Sequence, residues 1–481
     1  MTAIAMPTPD ARILSGRDAI IRGLGEILGG EGVITSLEER RAYETDAFTA
    51  YRAVPLAVVL PKSTEEVSAV LKFLGENRVK VVARGAGTSL SGGSLPTPDC
   101  VVVGLSRMNR ILAIDYDNRT ARVEAGVTNL NITNAVSPRG FFYAPDPSSQ
   151  LACTIAGNIA MNSGGAHCLK YGVTTNNVLA VRMVLIDGTV VDIGGEPYDS
   201  PGYDFLGLVI GSEGQLGIVT EATVRILRAA EGARPMLMGF DTAVDAGGCV
   251  AAIIGSGIIP VAIEYMDRPC IRACEAFAHA GYPRDVEAML IVEVEGSEAE
   301  IADQFARIEA IAAKFNPREV RVSKSEKESA AIWKGRKAAF GAMGKVADAY
   351  LCMDGVIPTG RLPEVLTRVA EICAGHRVGV SNVFHAGDGN LHPLILFNPN
   401  DPDELARAEA AGADVLKLCV EVGGCLTGEH GVGIEKRDLM RYQFSPDDLA
   451  LQMNVKSVFD PAWLLNPAKV FPLDGRPVAA G

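Results

Sequence analysis

Short runs of β-branched and apolar residues, bounded by glycine or proline, fill the chain from Val54 to about Arg228. Runs of this kind are typical of strands in a partly buried sheet. Ser63, followed by acidic residues at 65 and 66, marks a helix start, and the helix is expected to continue to about Asn77. This part of the chain is therefore predicted to be α+β, with strands at 58–60, 79–83, 101–104, 121–124, 181–186 and 219–226.

Longer amphipathic patterns follow a linker-like stretch at 228–234. They predict helices at 245–254, 271–280, 298–315, 362–374 and 404–422, with strands at 261–265, 288–294 and 395–397. We place a domain boundary near residue 230, because the texture of the sequence changes there. The predicted organisation is an N-terminal helical segment (1–50), a first domain (51–230), a second domain (231–450), and a C-terminal segment (451–481) that returns to the first domain.

Composition and charge remove several classes of function. The chain has 481 residues and a formal net charge of −13, and no block of Lys or Arg stands out, so a nucleic-acid partner is not expected. The N-terminus lacks the pattern of a secretory signal, and the uncharged stretch 247–263 is too short to span a membrane. Ten scattered cysteines without a C-x2-C pair argue against an iron–sulfur cluster. We therefore expect a cytoplasmic protein with reduced thiols.

A glycine-rich loop directly follows the predicted strand 79–83. Its sequence, from Arg84 to Gly93, is RGAGTSLSGG, in which backbone amides and hydroxyls could converge on an anion. The spacing matches neither the G-x-G-x-x-G dinucleotide fingerprint nor a Walker loop. A pyrophosphate cradle and an ordinary glycine-rich turn both remain open for this loop alone.

Further loops rich in Gly, Ser and Asn occur along the first domain. They include PDPSS at 145–149, TIAGNIA at 154–160, NSGG at 162–165 and GSEGQLGIVT at 211–220. Several such loops in one domain suggest a long ligand that contacts them all.

This set of loops, in this order, resembles the FAD-binding domain of the vanillyl-alcohol oxidase / p-cresol methylhydroxylase family. The resemblance implies a two-subdomain FAD-binding domain of the p-cresol methylhydroxylase type, followed by an α+β substrate (cap) domain with an antiparallel sheet. Some members attach FAD through a histidine near these loops. The stretch 84–93 has none and the nearby His167 is expected to be structural, so non-covalent FAD is implied. The implied FAD-binding residues are Arg84, Gly85, Ala86, Gly87, Thr88, Ser89, Ser91, Gly92, Pro145, Asp146, Thr154, Gly157, Asn158, Ser163, Gly164, Glu213, Gly217, Ile218 and Asn466.

Two histidines lie across a tight turn in the second domain. In FHAGDGNLHP, Asp388-Gly389 is a hairpin signal, so His385 and His392 are expected to face each other from paired strands. A third histidine occurs in TGEHGVG, beside Glu429. Two imidazoles and one carboxylate are a common divalent-metal set. Buried structural histidines are equally compatible with the residues alone.

These motifs, together with WKGRK at 333–337 and MDG at 353–355, resemble the C-terminal domain of FAD-linked 2-hydroxy-acid dehydrogenases. The resemblance implies a divalent metal (zinc, manganese or iron) on His385, His392 and Glu429. It also implies that His430 is the base and that Arg336 pairs with the substrate carboxylate, although Arg336 could instead be a solvated helix residue. Some members have a lysine where this chain has Cys352, which puts a dicarboxylate substrate in doubt.

The resemblance is strongest to the glycolate-oxidising members and covers nearly the full chain. It implies FAD-dependent oxidation of a small 2-hydroxy acid, glycolate first, with D-lactate and D-2-hydroxyglutarate as alternatives. Electrons are expected to pass to separate FAD-like and iron–sulfur subunits, through which the chain could associate with the inner face of the membrane. Two other classes remain: a metal hydrolase without flavin, and a flavin-bearing interaction subunit with an inactive site.

Overall fold

Three separate stretches of the chain combine into the first of two units. The computed structural model describes residues 4–196 and 202–475. Within them, the first unit contains residues 4–164, 172–228 and 429–475, and the second contains 165–171 and 229–428. The chain thus re-enters the first unit at Glu429. The boundary predicted from the sequence lies later, between residues 450 and 451. Residues 1–3 and 476–481 of the predicted terminal segments lie outside the described residues.

The first unit has two main sheets. One has the strand order Val33–Ile34, Ala57–Val59, Cys100–Gly104, Lys80–Arg84, and its last three strands are parallel. The other is antiparallel, with the order Ile111–Asp115, Thr120–Glu124, Ile218–Arg225, Val178–Val184, Val190–Gly194. Phe141–Phe142 and Leu227–Arg228 form a separate pair. The helices are Ala11–Ser15, Arg17–Leu28, Leu37–Arg40, Thr64–Glu76, Asn129–Val136, Ile155–Met161, Phe205–Val209, Met440–Gln443 and Pro446–Phe459.

Local signals explain why these elements begin and end where they do. The Ser63 hydroxyl accepts a hydrogen bond from the Glu66 amide and so caps the helix Thr64–Glu76, as its sequence predicts. The strand predicted at 181–186 ends at Val184 instead, because Leu185 and Gly188 are hydrogen-bonded in a tight turn. Valines of the parallel strands are fully buried, which places the core of this unit between its sheets and helices.

The second unit is built on one large sheet in which every pairing is antiparallel, as predicted. Its main order is Glu319–Val322, Gly232–Phe240, Ala288–Gly296, Ala262–Asp267, Gly379–His385, Asn390–Leu391, Gly355–Val356. Ala349–Cys352 and Pro393–Phe397 extend it beside Gly379–His385. The helices are Cys168–Tyr171, Ala243–Gly255, Arg268–Ala278, Glu298–Ala312, Glu326–Lys337, Ala339–Ala342, Leu362–Gly375 and Pro402–Glu421.

The prediction of a linker at 228–234 is wrong for its second part. Gly232 already begins a nine-residue strand that pairs with Ala288–Gly296 over its full length. The polar residues of the stretch 228–234 and the following Pro235 are not typical of a strand, so the sequence pattern did not predict it. Its partners in the strand Ala288–Gly296 lie 48 to 64 residues away, so only the tertiary structure supplies them.

Candidate active site

Two glycine conformations and one internal hydrogen bond set the shape of the glycine-rich loop that follows the strand Lys80–Arg84. Gly87 and Gly92 have φ values of 73° and 76°, a region that favours glycine. The Ser89 hydroxyl accepts a hydrogen bond of 3.0 Å from the Gly93 amide, which fixes the curvature of the loop. The loop therefore has the shape expected for close approach of backbone to a ligand.

Arg84, the first residue of this loop, is buried and points toward the segment 43–45. Its Nη1 donates a hydrogen bond of 2.7 Å to the Thr45 carbonyl, and its guanidinium lies over the Tyr43 ring. Burial lowers the pKa of Arg84, and the nearby Asp46 offsets part of that effect. The charged end of Arg84 is thus engaged within the protein.

Residues from two other predicted FAD loops are joined through Asn129 by hydrogen bonds. Asn158 donates to the Asn129 side chain, and Asn129 donates to the Pro145 carbonyl, each over 2.8 Å. The Thr154 hydroxyl is buried and has no hydrogen-bond partner among residues 4–196 and 202–475. A Cβ on Gly85 would lie 2.3 Å from that hydroxyl oxygen, so only glycine fits there. Sequence reasoning did not identify Asn129, which connects these loops.

Glu213 occupies a left-handed conformation and binds the loop that follows His430. Its two carboxylate oxygens accept hydrogen bonds of 2.6 and 2.8 Å from the Val432 and Gly433 amides. Burial raises the pKa of Glu213, and these two amides offset part of that rise. Asn466 donates to the carbonyls of Glu213 and Gly93, which ties the C-terminal segment to both loops.

The loop carrying Glu429 and His430 is also bound to the glycine-rich loop. The Ser91 hydroxyl donates a hydrogen bond of 2.9 Å to the His430 carbonyl. In return, the Ser91 carbonyl accepts from the Ile434 amide at 2.9 Å. The backbone around His430 is therefore fixed by residues that the sequence assigns to FAD.

In the second unit, one buried carboxylate connects two of the predicted site residues. Glu264 Oε1 lies 2.7 Å from His385 Nδ1, and Glu264 Oε2 lies 2.5 Å from Arg336 Nη2. Burial alone would raise the pKa of Glu264, but Arg336 and His385 outweigh it and hold the pKa below its usual value. Arg336 is only 4% exposed, so the alternative of a solvated helix residue is wrong.

His385 and His392 lie close together, with ring centroids 5.3 Å apart. His385 ends the strand Gly379–His385, and Asn390 pairs with it across the turn at Gly389, which has a φ of 78°. His392 follows the second strand of that pair rather than lying within it. The Asp388-Gly389 turn thus brings the two imidazoles together as expected.

Asp354 binds both His392 and the chain just before Glu429. Its Oδ1 lies 3.4 Å from His392 Nε2. Its Oδ2 accepts hydrogen bonds of 2.5 Å from the Thr427 hydroxyl and 3.0 Å from the Gly428 amide. Gly428 is the last residue of the second unit, and Glu429 follows it directly in the chain.

His167 lies in a cluster of polar and aromatic side chains beside the large sheet. It lies 2.9 Å from Glu293, which also accepts a hydrogen bond of 2.7 Å from the Trp333 indole. Nearby, Lys170 and Tyr171 both contact Glu295. These contacts attach the segment 165–171 to the large sheet, in keeping with the expected structural role of His167.

The residues present fit both implied cofactors, FAD and a divalent metal. The buried Thr154 hydroxyl, which has no hydrogen-bond partner among the described residues, and the two positive-φ glycines fit the pyrophosphate of a dinucleotide. Two adjacent imidazoles, one of them oriented by a carboxylate, fit a divalent metal. The remaining predicted FAD residues, all in the first unit, are Ala86, Thr88, Asp146, Gly157, Ser163, Gly164, Gly217 and Ile218.

Comparison with family models identifies both halves of the chain. Residues 55–194 match the FAD binding domain, and residues 230–470 match the C-terminal domain of FAD linked oxidases. The chain belongs to the FAD-linked oxidase family. It is therefore an FAD-dependent oxidoreductase.

Individual relatives cover almost the entire chain. Glycolate oxidase subunit GlcD of Escherichia coli K12 is 48% identical over 456 residues, which are 95% of this chain and 91% of that protein. The GlcD subunit of Bacillus subtilis 168 is 36% identical over 94% of this chain and 96% of its own length. D-lactate dehydrogenase of Archaeoglobus fulgidus is 34% identical over 89% of this chain and 94% of its own length.

Solved structures confirm the fold of this FAD-linked oxidase. The 4-ethylphenol oxidase of Gulosibacter chungangensis superposes with a TM-score of 0.80 at 18% identity, over 98% of this chain and 100% of that chain. p-Cresol methylhydroxylase gives a TM-score of 0.79 at 15% identity, over 98% and 99%. The predicted fold type is thus confirmed. Among the described residues, no helix is long and apolar enough to cross a membrane.

Proposed function

We propose that this FAD-linked oxidase converts glycolate to the corresponding 2-oxo acid. The observation that carries the proposal is the 48% identity to a glycolate oxidase subunit over 95% of the chain. A buried arginine that shares the Glu264 carboxylate with one of two adjacent histidines supports it, because a small 2-hydroxy acid presents a carboxylate and a hydroxyl together.

The chain's own residues can perform the binding and proton-transfer steps. Arg336 binds the substrate carboxylate through its guanidinium. His430 accepts the hydroxyl proton, since an imidazole titrates near neutral pH. Bound FAD supplies the acceptor for the Cα hydride, which no side chain can replace.

His385, His392 and Glu429 are proposed to hold a divalent metal: zinc, manganese or iron. When bound, such a metal lowers the pKa of a ligated hydroxyl and orients the substrate oxygens. The adjacency of the two histidines and the orientation of His385 by Glu264 support this assignment. The FAD is proposed to be non-covalent, because the glycine-rich loop contains no histidine. All yellow colour should then leave the protein on acid precipitation.

Cys352 argues for a substrate with a single carboxylate. The cysteine is 6% exposed and packs within an apolar cluster, so no cation occupies this position to bind a second carboxylate. D-lactate is the second candidate, because D-lactate dehydrogenases are among the relatives.

A substrate panel read by flavin bleaching tests the proposal. Glycolate should bleach the bound flavin faster than D-lactate, L-lactate, D-malate or D-2-hydroxyglutarate. Faster bleaching by D-lactate would make D-lactate, and not glycolate, the preferred substrate. A preparation without absorption near 450 nm would favour the flavin-free hydrolase instead.

Electrons are proposed to leave through separate FAD-like and iron–sulfur subunits. The absence of a C-x2-C pair from the sequence and the naming of the GlcD relatives as subunits support this. The isolated chain should reduce an artificial dye and react slowly with oxygen. Stoichiometric iron with labile sulfide in this polypeptide would contradict the proposal.

A further inference from the structure

Glu264 and His385 are direct neighbours across two antiparallel strands. The strands Ala262–Asp267 and Gly379–His385 pair in a register that sets these two residues opposite each other. Opposite residues of an antiparallel pair project from the same face of a sheet. Their contact of 2.7 Å is therefore a consequence of the sheet register.

The protonation of His385 follows from the other partner of Glu264. The ion pair with Arg336, at 2.5 Å and with both side chains buried, keeps Glu264 in its charged form. A charged carboxylate only accepts hydrogen bonds, so His385 Nδ1 must carry the proton. The lone pair of the ring is then on Nε2, which is the form an imidazole needs in order to ligate a metal through that atom.

The same carboxylate also restrains Arg336. One of its oxygens binds Arg336 and the other binds His385, so a single side chain sets the positions of two residues with different tasks. A carboxylate that is buried among apolar neighbours is retained only where it is paired, and here both oxygens are used in this way.

We propose that Glu264 is a positioning residue that fixes the metal-ligating tautomer of His385 and, at the same time, the orientation of the substrate-binding Arg336. The proposal rests on the proposed function, because it assigns a metal to His385 and the substrate carboxylate to Arg336. It adds a residue for which the sequence analysis had no role.

Glu264→Gln is the decisive variant, because glutamine has one acceptor oxygen where glutamate has two. Arg336 can only donate, so it takes that oxygen and leaves the amide NH₂ facing His385. An NH₂ donor requires an unprotonated Nδ1, which moves the ring proton to Nε2 and removes the lone pair from that atom. Metal affinity should then fall about 10- to 100-fold, as for other residues that hydrogen-bond to a metal-ligating histidine.

Glu293→Gln is the matched control. Glu293 is also a buried carboxylate in the same sheet, bridging a histidine and a residue of the helix Glu326–Lys337. Both variants should lower the melting temperature, so loss of stability alone cannot distinguish them. Only Glu264→Gln should lower metal affinity and raise the KM for glycolate, and both should retain FAD.

The measurement is titration of metal-free, FAD-loaded protein with Mn²⁺ or Zn²⁺ by calorimetry, with no substrate present. A wild type that binds metal, with equal affinity in Glu264→Gln, would overturn the role of Glu264 and leave the proposed function intact. A wild type that binds neither metal would overturn both this role and the proposed metal site. A parallel loss of affinity in Glu293→Gln would reduce Glu264 to a structural residue.

Discussion

The hydroxyl of Ser91 donates a hydrogen bond to the backbone carbonyl of His430, 339 residues later in the chain. Ser91 belongs to the glycine-rich loop assigned to FAD, and His430 is the proposed base. This bond joins the glycine-rich loop to the backbone of the proposed base within one unit of the protein.

Ser91→Ala should therefore lower turnover per bound flavin, in addition to any loss of FAD that follows from its place in the glycine-rich loop. A hydrogen bond of this kind contributes about 1 kcal/mol, so kcat per bound flavin should fall roughly 2- to 10-fold. Ser89→Ala is the control, since Ser89 orders the loop through the Gly93 amide and should lower FAD retention instead. Loss of flavin from Ser91→Ala with normal turnover per flavin would contradict this.

Gly87→Val should abolish FAD retention. A Cβ at this position would lie 2.2 Å from Arg84 Nη2, and the φ of 73° disfavours a β-branched residue. Arg84 cannot move freely, because Thr45 and Tyr43 hold its guanidinium. Gly25→Val is the control, because a Cβ there meets no heavy atom within 4 Å. The ratio of absorbance at 450 and 280 nm after gel filtration gives the result.

Substitutions of the proposed metal ligands, of the proposed base and of Arg336 should impair the enzyme in different ways. His385→Ala, His392→Ala and Glu429→Gln should each lower bound metal and substrate affinity together. His430→Asn should keep metal and FAD but lose roughly 10²- to 10⁴-fold in turnover, the usual contribution of a positioned base. Arg336→Lys should mainly raise KM, because an ammonium cannot make the two-pronged contact.

His376→Ala is the control for these histidines, since His376 pairs with Asp414 on a more exposed surface. It should leave metal content and turnover unchanged. If all three site histidines are structural, chelation will leave activity unchanged, and each alanine variant will lose thermal stability rather than turnover.

Asp267 should make the second unit less stable as the pH rises from 4 to 6. Burial raises the pKa of Asp267 to about 6 from its ordinary 3.8, against hydrogen bonds from Ser381 and Asn382. A raised folded-state pKa gives stability that is present below the unfolded pKa and is lost as the pH rises through the folded one. The loss attributable to this carboxyl is about 3 kcal/mol.

Asp267→Asn should remove that part of the pH dependence, because the amide does not titrate. Urea unfolding followed by tryptophan fluorescence tests this in a Trp463→Phe background, where Trp333 is the single tryptophan and reports on the second unit. Parallel pH profiles for the variant and its background would show that Asp267 does not titrate in this range.

Local sequence patterns were enough to predict many of the turns and helix caps and much of the candidate chemistry. Glycine loops, helix caps such as Ser63 and the Asp388-Gly389 turn act through neighbouring residues, so a linear pattern is enough to predict them. The order of the loops also predicted the fold type and FAD, which the comparisons confirm. The strand Gly232–Phe240 was not predicted from the sequence, because its hydrogen bonds are made with a strand distant in sequence.

The side chains that support the proposed site residues could be identified only from the folded chain. Glu264 is one carboxylate in an apolar run, and nothing near it in sequence shows that the sheet register sets it against His385, 121 residues away. The available signal in the sequence was a glutamate within an apolar run, because a charge that is buried with such a run must have a partner. Ser91 and His430 are likewise joined by a chain re-entry that no local pattern encodes. Strand register and chain re-entry depend on long-range packing, so the contacts that position the site follow from the folded chain alone.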